Sequence, residues 1–86
     1  MESKKDGESI EDAIIINATE DFQGIILEYA YLRRRFGTQD FDWELKKQSL
    51  IEQNNKAYDR MDLILKDGAK RSIFFDISSF FNKTKW

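Results

Sequence analysis

This chain of 86 residues has room for one domain with a small core, and its 41% hydrophobic and 35% charged residues are typical of a folded protein rather than a disordered one. It has neither Cys nor His, which excludes disulfides, thiol nucleophiles and zinc–thiolate sites and removes the commonest general base at neutral pH. A formal net charge of −2 gives the whole chain no attraction to nucleic acid.

The chain starts with a polar segment and a short apolar run. Residues 1–9 are expected to be a mobile polar tail, and residues 10–86 a single domain. The run Ala13–Ile16 is typical of a strand buried on both faces. It is too short for a signal-peptide core or a membrane span, so we expect a cytoplasmic protein without a membrane partner.

A helix over about residues 18–36 is predicted by the apolar spacing. Successive steps of 3, 1, 3, 3 and 4 residues place six apolar side chains along one face, which is expected to cover the sheet: Phe22, Ile25, Ile26, Tyr29, Leu32 and Phe36. Asn17 and Glu20 form a candidate capping box, with Thr19 as a competing N-cap. Gly37 is a natural residue to end the helix.

Two features of this helix have two explanations each. Gly24 either permits a close approach to the sheet or is simply tolerated, at a cost of about 1 kcal/mol relative to Ala. The cluster Arg33–Arg35 either complements the negative end of the helix dipole or contacts phosphate. Successive helical residues point about 100° apart, so only part of the cluster can meet one ligand.

The segment Trp43–Gln53 fits either a helix or a strand. The helical interpretation groups Trp43, Lys46, Lys47, Leu50 and Ile51, whereas the strand interpretation places on one face Leu45, Lys47, Ser49 and Ile51. We favour the strand because Asn54–Asn55 then makes a hairpin turn into Ala57.

The last two apolar runs predict a β-hairpin with a defined register. For both runs to face one core, the loop needs an odd number of residues. The loop Lys66–Gly68, with its glycine in the left-handed region, meets this requirement. The register then opposes Met61 to Ile73 and Tyr58 to Asp76.

The predicted fold is therefore α+β, a two-layer sandwich in the order β-α-β-β-β. One helix packs on a mostly antiparallel four-stranded sheet. Asp59 falls on the face assigned to the core, where an unpaired charge is costly. We therefore expect it to lie at the sheet edge, to pair with a cation, or to mark a slip in register.

Two candidate contact surfaces follow from this fold. The sheet face away from the helix is predicted to carry Tyr58, Arg60, Asp62, Phe74 and Asp76, with Arg60 diagonal to Asp76. That face is either a recognition surface or an ordinary solvated face. Aromatic residues also crowd the C-terminus and form either a partner-binding patch or a cover over the core: Phe80, Phe81 and Trp86, with Trp43 as a possible neighbour.

The sequence predicts no enzyme, cofactor or metal site. The motifs GxGxxG, Walker A, HExxH and GxSxG are absent, and Ser78–Ser79 has no activating partner in the pattern. A metal site built from Asp59, Asp62 and Asp76 is disfavoured because strand alternation sends the first two to opposite faces.

The expected function is that of a small non-enzymatic protein-interaction domain, such as an adaptor, an inhibitor or an immunity-type protein. It would bind another protein, or itself, through the exposed sheet face or the C-terminal aromatics. One alternative is a nucleic-acid-binding regulator that uses Arg33–Arg35, which the acidic chain makes the weaker interpretation. Another is a homodimeric structural protein.

Overall fold

The computed structural model describes residues 6–81, which form one helix and a four-stranded mixed sheet. The elements in chain order are β1 (Ile14–Ile15), α1 (Asp21–Phe36), β2 (Trp43–Gln53), β3 (Lys56–Leu65) and β4 (Lys70–Asp76). The sheet order is β1-β4-β3-β2, with β1 parallel to β4 and the other pairs antiparallel. The predicted α+β fold is confirmed, and within residues 6–81 no helix is long and apolar enough to cross a membrane.

The hairpin of β2 and β3 confirms the strand interpretation of residues 43–53. Gln53 lies opposite Lys56, and the two turn residues Asn54 and Asn55 have φ angles of 54° and 63°. Two successive left-handed residues are typical of a type I′ turn, whose twist matches that of the flanking strands.

A β-bulge divides β2 into two halves with opposite alternation. The register shifts between Leu45 and Lys47, so Leu45 lies opposite Leu63, whereas Gln48 lies opposite Met61. One extra residue on the strand moves every later side chain to the other face. The prediction of a single face for Leu45 and three later residues is therefore wrong: Leu45 shares the core face, and the opposite face holds Lys47, Ser49 and Ile51.

The hairpin of β3 and β4 has the predicted register. Met61 lies opposite Ile73, and Tyr58 lies opposite Asp76. The three-residue loop Lys66–Gly68 joins the strands, and its glycine has a φ of 92° with open space around it. The core face of these strands is buried against α1, with Met61 and Ile73 fully covered.

The first strand is shorter and more exposed than predicted. β1 holds two residues, and Ile15 is exposed while Ile16 is buried. The expectation of a strand buried on both faces is wrong because β1 lies at the sheet edge and its outer face is uncovered.

Part of the predicted N-terminal tail packs on the domain. The carbonyl of Gly7 accepts a hydrogen bond from the backbone N–H of Phe74 at 2.6 Å. The Glu8 carboxylate lies 2.7 Å from the Arg35 guanidinium and 3.0 Å from that of Arg71. These contacts tie residues 6–8 to α1 and β4, and residues 1–5 of the predicted tail lie outside the described part of the chain.

The helix begins at Asp21, about three residues later than predicted. The capping box of Asn17 and Glu20 is wrong, because Glu20 itself is the N-cap, with extended backbone and no side-chain cap. The Gln23 side-chain oxygen instead accepts a hydrogen bond from the backbone N–H of Thr19 at 3.0 Å. This bond satisfies a donor just before the helix.

Gly37 ends α1 as predicted and connects it to β2. Its φ is 108°, and its N–H donates to the carbonyl of Arg33 at 3.0 Å. The indole N–H of Trp43 donates to the Gly37 carbonyl at 2.9 Å. A buried aromatic side chain at the start of β2 therefore fixes the C-terminal end of α1 on the sheet.

The apolar face predicted for α1 is confirmed in its C-terminal half, where Leu32 is buried and Tyr29 and Phe36 pack against the core. Its N-terminal half is not. The buried residues of α1 are Gly24, Glu28 and Leu32, spaced four apart. Phe22, Ile25 and Ile26 are instead 70%, 48% and 51% exposed. The prediction that these three side chains cover the core is therefore wrong.

A contact between Gly24 and Phe80 explains this orientation. A Cβ at Gly24 would lie 2.3 Å from the Phe80 ring, so only glycine allows the two to approach this closely. Of the two explanations for Gly24, the structure supports close approach, with an aromatic residue beyond β4 as the neighbour. This contact leaves Phe22, Ile25 and Ile26, the N-terminal half of the predicted apolar face, turned outward.

Candidate functional site

Two carboxyl groups meet between the helix and the sheet. Glu28 points from α1 into the core and is 1% exposed. Asp59 lies on the core face of β3, opposite Leu50 of β2 and Phe75 of β4. Alternation along β3 puts Asp59 on the same face as Met61, so the predicted register holds at this residue.

The surroundings of Glu28 favour the protonated form of its carboxyl group at neutral pH. Burial raises the pKa of Glu28 from 4.5 to about 9, and the hydrogen bond to Asp59 and its negative charge add to the effect. Glu28 is therefore protonated and can donate to Asp59. The side-chain amide of Gln48 donates to the other side of the pair, 2.9 Å from Asp59 Oδ2.

The partners of Asp59 differ from those expected from the sequence, which were a position at the sheet edge, a cation or a slip in register. Its neighbours are an amide donor, Gln48, and a neutral carboxylic acid, Glu28. The second oxygen of Glu28, Oε2, has no hydrogen-bond partner within residues 6–81, so the pair is incompletely satisfied. The neighbouring Tyr29 also has a raised pKa, mainly because its own side chain is partly buried, and the negative charges of the two carboxyl groups contribute.

Glu28 is enclosed rather than open to a substrate, whereas Asp59 is partly exposed. A carboxyl with a raised pKa is suited to proton transfer, but Glu28 is covered by its own domain. A shallow depression at the C-terminal end of α1 is open to solvent and is lined by Arg35, Phe36, Asp42, Leu65, Lys66 and Asp67. Among residues 6–81, no group of three or more acidic side chains is placed to hold a metal ion.

The outer sheet face carries an internal polar network. Arg60 lies 2.9 Å from Asp62 and 5.6 Å from the centre of the Phe74 ring. The Ser72 hydroxyl donates to Asp62 at 2.6 Å. This hydrogen bond is the main cause that lowers the pKa of Asp62, and Arg60 contributes.

The remaining predicted residues of that face are also engaged. Arg60 lies diagonal to Asp76, as the register predicts, but its guanidinium bonds to Asp62 on its own strand. Asp76 lies 3.8 Å from Lys56. Tyr58 is on this face by register but only 8% exposed. The five residues share one face as predicted, and their role in partner binding stays a prediction.

The described C-terminal aromatics cover the core. Phe80 and Phe81 are half-buried and pack against the hydrophobic cluster. The Ser79 hydroxyl donates to the carbonyl of Ile16 at 2.8 Å and holds this segment in place. Trp43 lies at the opposite end of α1, and Trp86 is outside the described residues.

The basic cluster is divided between the surface and the domain. Arg35 is half-buried, 2.7 Å from Glu8 and 2.8 Å from the Tyr31 hydroxyl. Arg33 and Arg34 are exposed. The three arginines therefore point in different directions around α1, as the sequence predicts, and the guanidinium groups of Arg33 and Arg34 face solvent.

The largest exposed apolar feature of α1 is the α1 stripe, defined as Phe22, Ile25 and Ile26. Sequence reasoning found these residues by their spacing but assigned them to the core. Gly24, Glu28 and Leu32 are spaced just as regularly, four residues apart. This series was not recognised as the buried face because two of its members are a glycine and a carboxylic acid rather than large apolar residues.

Comparison with known proteins adds no assignment. No protein-family model matches the chain, and no curated protein or solved structure matches it.

Proposed function

We propose that this protein is a non-enzymatic protein-interaction domain that binds through the α1 stripe. The observation that carries the proposal is the exposure of Phe22, Ile25 and Ile26 on the one helix of residues 6–81. Neighbouring exposed apolar side chains of this size mark interaction sites in soluble proteins, whereas single ones need no explanation.

The surroundings of the stripe support this assignment. Acidic residues, Glu20 and Asp21, lie at one end of α1, and Arg33 and Arg34 lie at the other, all of them exposed. An apolar centre with a charged rim is the usual composition of a protein interface.

The stripe also suits binding better than the two surfaces proposed from the sequence. The polar groups of the outer sheet face bond to one another, and Phe80 is occupied by its contact with Gly24. Recruiting either surface would require breaking contacts within the domain, whereas the α1 stripe is already uncovered.

A paired set of variants tests the proposal. Phe22→Ser combined with Ile26→Ser removes most of the stripe, and Phe41→Ser changes an equally exposed aromatic residue in the loop before β2. In cells that express the protein, chemical crosslinking should give products larger than the monomer with the wild type and with Phe41→Ser. The double variant should lose them. A wild type that never exceeds monomer size, or a double variant that keeps its products, contradicts the proposal.

A further inference from the structure

We infer that residues 6–8 form a strap that closes the outer edge of β4, and that an extended strand of another chain pairs with this edge when the strap opens. The strap and the β4 edge use residues outside the α1 stripe, so the inference goes beyond the proposed function.

The outer edge of β4 is covered by β1 only at its C-terminal end. β1 holds two residues, which pair with Phe75 and Asp76. In an antiparallel ladder, the backbone groups of every second residue point away from the neighbouring strand. In β4 these are residues 70, 72 and 74, since the Phe74 N–H donates outward to Gly7. Within residues 6–81, the outward backbone groups of positions 70 and 72 have no partner.

The strap continues the cover from the point where β1 ends. The Gly7 carbonyl accepts the Phe74 N–H at 2.6 Å. Gly7 is buried with a φ of 76°, and a Cβ there would lie 3.0 Å from Ile14 and 3.1 Å from Ile73. Only glycine combines this left-handed backbone with such close packing. The strap is therefore fitted closely to the edge of the sheet at this residue.

One carboxylate and two guanidinium groups hold the strap in place. Glu8 lies 2.7 Å from Arg35 of α1 and 3.0 Å from Arg71 of β4. Arg35 also donates to the backbone carbonyl of Asp6 and to the Tyr31 hydroxyl. The three side chains of the Glu8 bridge are partly exposed, so salt weakens their attraction. The strap therefore opens more easily than the core of the domain unfolds.

An open β4 edge matches the backbone of an extended strand. When the strap lifts, the N–H of Phe74 joins the outward groups of Lys70 and Ser72. These groups form a row of donors and acceptors with the spacing of a β-ladder, and another extended chain is the partner that satisfies such a row. Strand addition of this kind is a common mode of peptide recognition.

The two edges of the sheet are protected in different ways. β2 has a bulge between Leu45 and Lys47, and Lys46 and Lys47 are exposed there. Bulges and lysines keep natural edge strands from pairing with other chains, and so does a loop that covers the edge. β4 pairs with β3 without a register shift, so its protection comes from the strap.

Amide hydrogen exchange measured by NMR tests whether the strap opens on its own. The Phe74 N–H reports on the strap, whereas the N–H groups of Ile73 and Phe75 report on the ladder with β3. Gly7→Ala should speed exchange at Phe74 about tenfold or more without a matching change at the other two residues, because the new methyl group lifts the strap. Gly68→Ala is the matched control, since Gly68 also has a positive φ but open space around it, and it should leave Phe74 slow.

A second pair of variants tests the Glu8 bridge at constant pH. Glu8→Gln should also speed exchange at Phe74, whereas Glu11→Gln, an exposed position in the same segment, should not. About 1 M NaCl should speed this exchange in the wild type but add little in Glu8→Gln, because the bridge that salt screens is already broken.

Sedimentation velocity tests what the open edge binds, with a second open copy as the probe. The background is Phe22→Ser with Ile26→Ser, so that the α1 stripe does not contribute. Adding Gly7→Ala should produce dimers at about 100 µM that the background lacks, because two open edges pair with each other. A further Lys70→Pro should abolish these dimers, since proline removes an outward N–H at the first residue of β4 and leaves the ladder with β3 intact.

Each part of the inference has its own refutation. If Phe74 exchanges as slowly in Gly7→Ala and Glu8→Gln as in the wild type, or equally fast in Gly68→Ala, residues 6–8 do not act as a strap. If the open variants stay monomeric, or their dimers survive Lys70→Pro, the β4 edge is not the surface that pairs. Neither result depends on the α1 stripe, so the proposed function stands or fails separately.

Discussion

Replacing Glu28 by Gln should stabilise the protein at neutral pH and reduce the dependence of its stability on pH. Glu28 is 1% exposed, and burial raises its pKa to about 9. The folded state therefore holds a proton that the unfolded chain releases at neutral pH. Gln keeps the shape of the side chain and a donor toward Asp59, but it has no proton to lose.

The sign of the effect follows from the direction of the shift. Because Glu28 holds its proton more tightly in the folded state than in the unfolded state, its contribution to the free energy of unfolding is highest below the ordinary pKa of 4.5 and falls as the pH rises toward about 9. The slope is about 1.4 kcal/mol per pH unit, which amounts to about 3 kcal/mol between pH 4.5 and pH 7. Glu28→Gln should therefore exceed the wild type by up to about 3 kcal/mol at pH 7 and match it near pH 4.5.

Urea unfolding followed by circular dichroism from pH 4.5 to pH 9 measures this difference. The matched control is Glu52→Gln, which makes the same chemical change at an exposed position of β2 and should alter stability little. A carbon-13 NMR titration of the Glu28 carboxyl gives its pKa directly. If the unfolding free energies of the wild type and Glu28→Gln stay parallel across this range, Glu28 is not a proton-holding group in the core.

Three smaller changes test other parts of the structure. Gly24→Ala should lower the free energy of unfolding in urea by about 1–3 kcal/mol, although Ala has the better helix propensity. In a Phe80→Ala background the same change should cost nothing, because the ring that the new methyl group would meet is gone. A loss that persists there would show that the Phe80 ring is not its cause. Asn55→Gly should raise the free energy of unfolding by up to about 1 kcal/mol, and a decrease would exclude the left-handed turn. Ser72→Ala should raise the pKa of Asp62, which the Ser72 hydroxyl lowers, and an NMR titration measures this change. The variant should also lose less stability than the wild type as the pH falls. An unchanged pKa would show that the hydroxyl does not cause the shift.

The hairpins could be predicted because local chemistry determines them. Two adjacent asparagines specify the turn between β2 and β3, and the parity of the apolar residues fixes the loop Lys66–Gly68. Both arguments use residues that are close in sequence. The element order and the sheet followed from them, and so did the placement of Asp59 on the core face.

The bulge and the helix orientation could not be predicted from local pattern. Nothing in the alternation around Lys46 identifies it as the extra residue of β2. The orientation of α1 depends on Phe80, which is far from Gly24 in sequence. The partner of Asp59 was missed for the same reason, since Glu28 lies on another element and sequence reasoning looked for a cation.

The burial pattern in the N-terminal half of α1 conflicts with its hydrophobic pattern, and the proposed binding of a partner would remove that conflict. As an isolated domain, the protein exposes Phe22 and Ile26 and buries Glu28, which is the reverse of what the hydrophobic effect favours. A rotation of the helix by about 100° would change this, but the contact of Gly24 with Phe80 opposes it. In the proposed complex the partner protein covers the exposed face of α1, so Phe22 and Ile26 are expected to contribute to association rather than to folding. Replacing them by Ser should therefore remove the crosslinked products while the unfolding free energy of the protein changes little, a combination that residues of an ordinary core cannot produce.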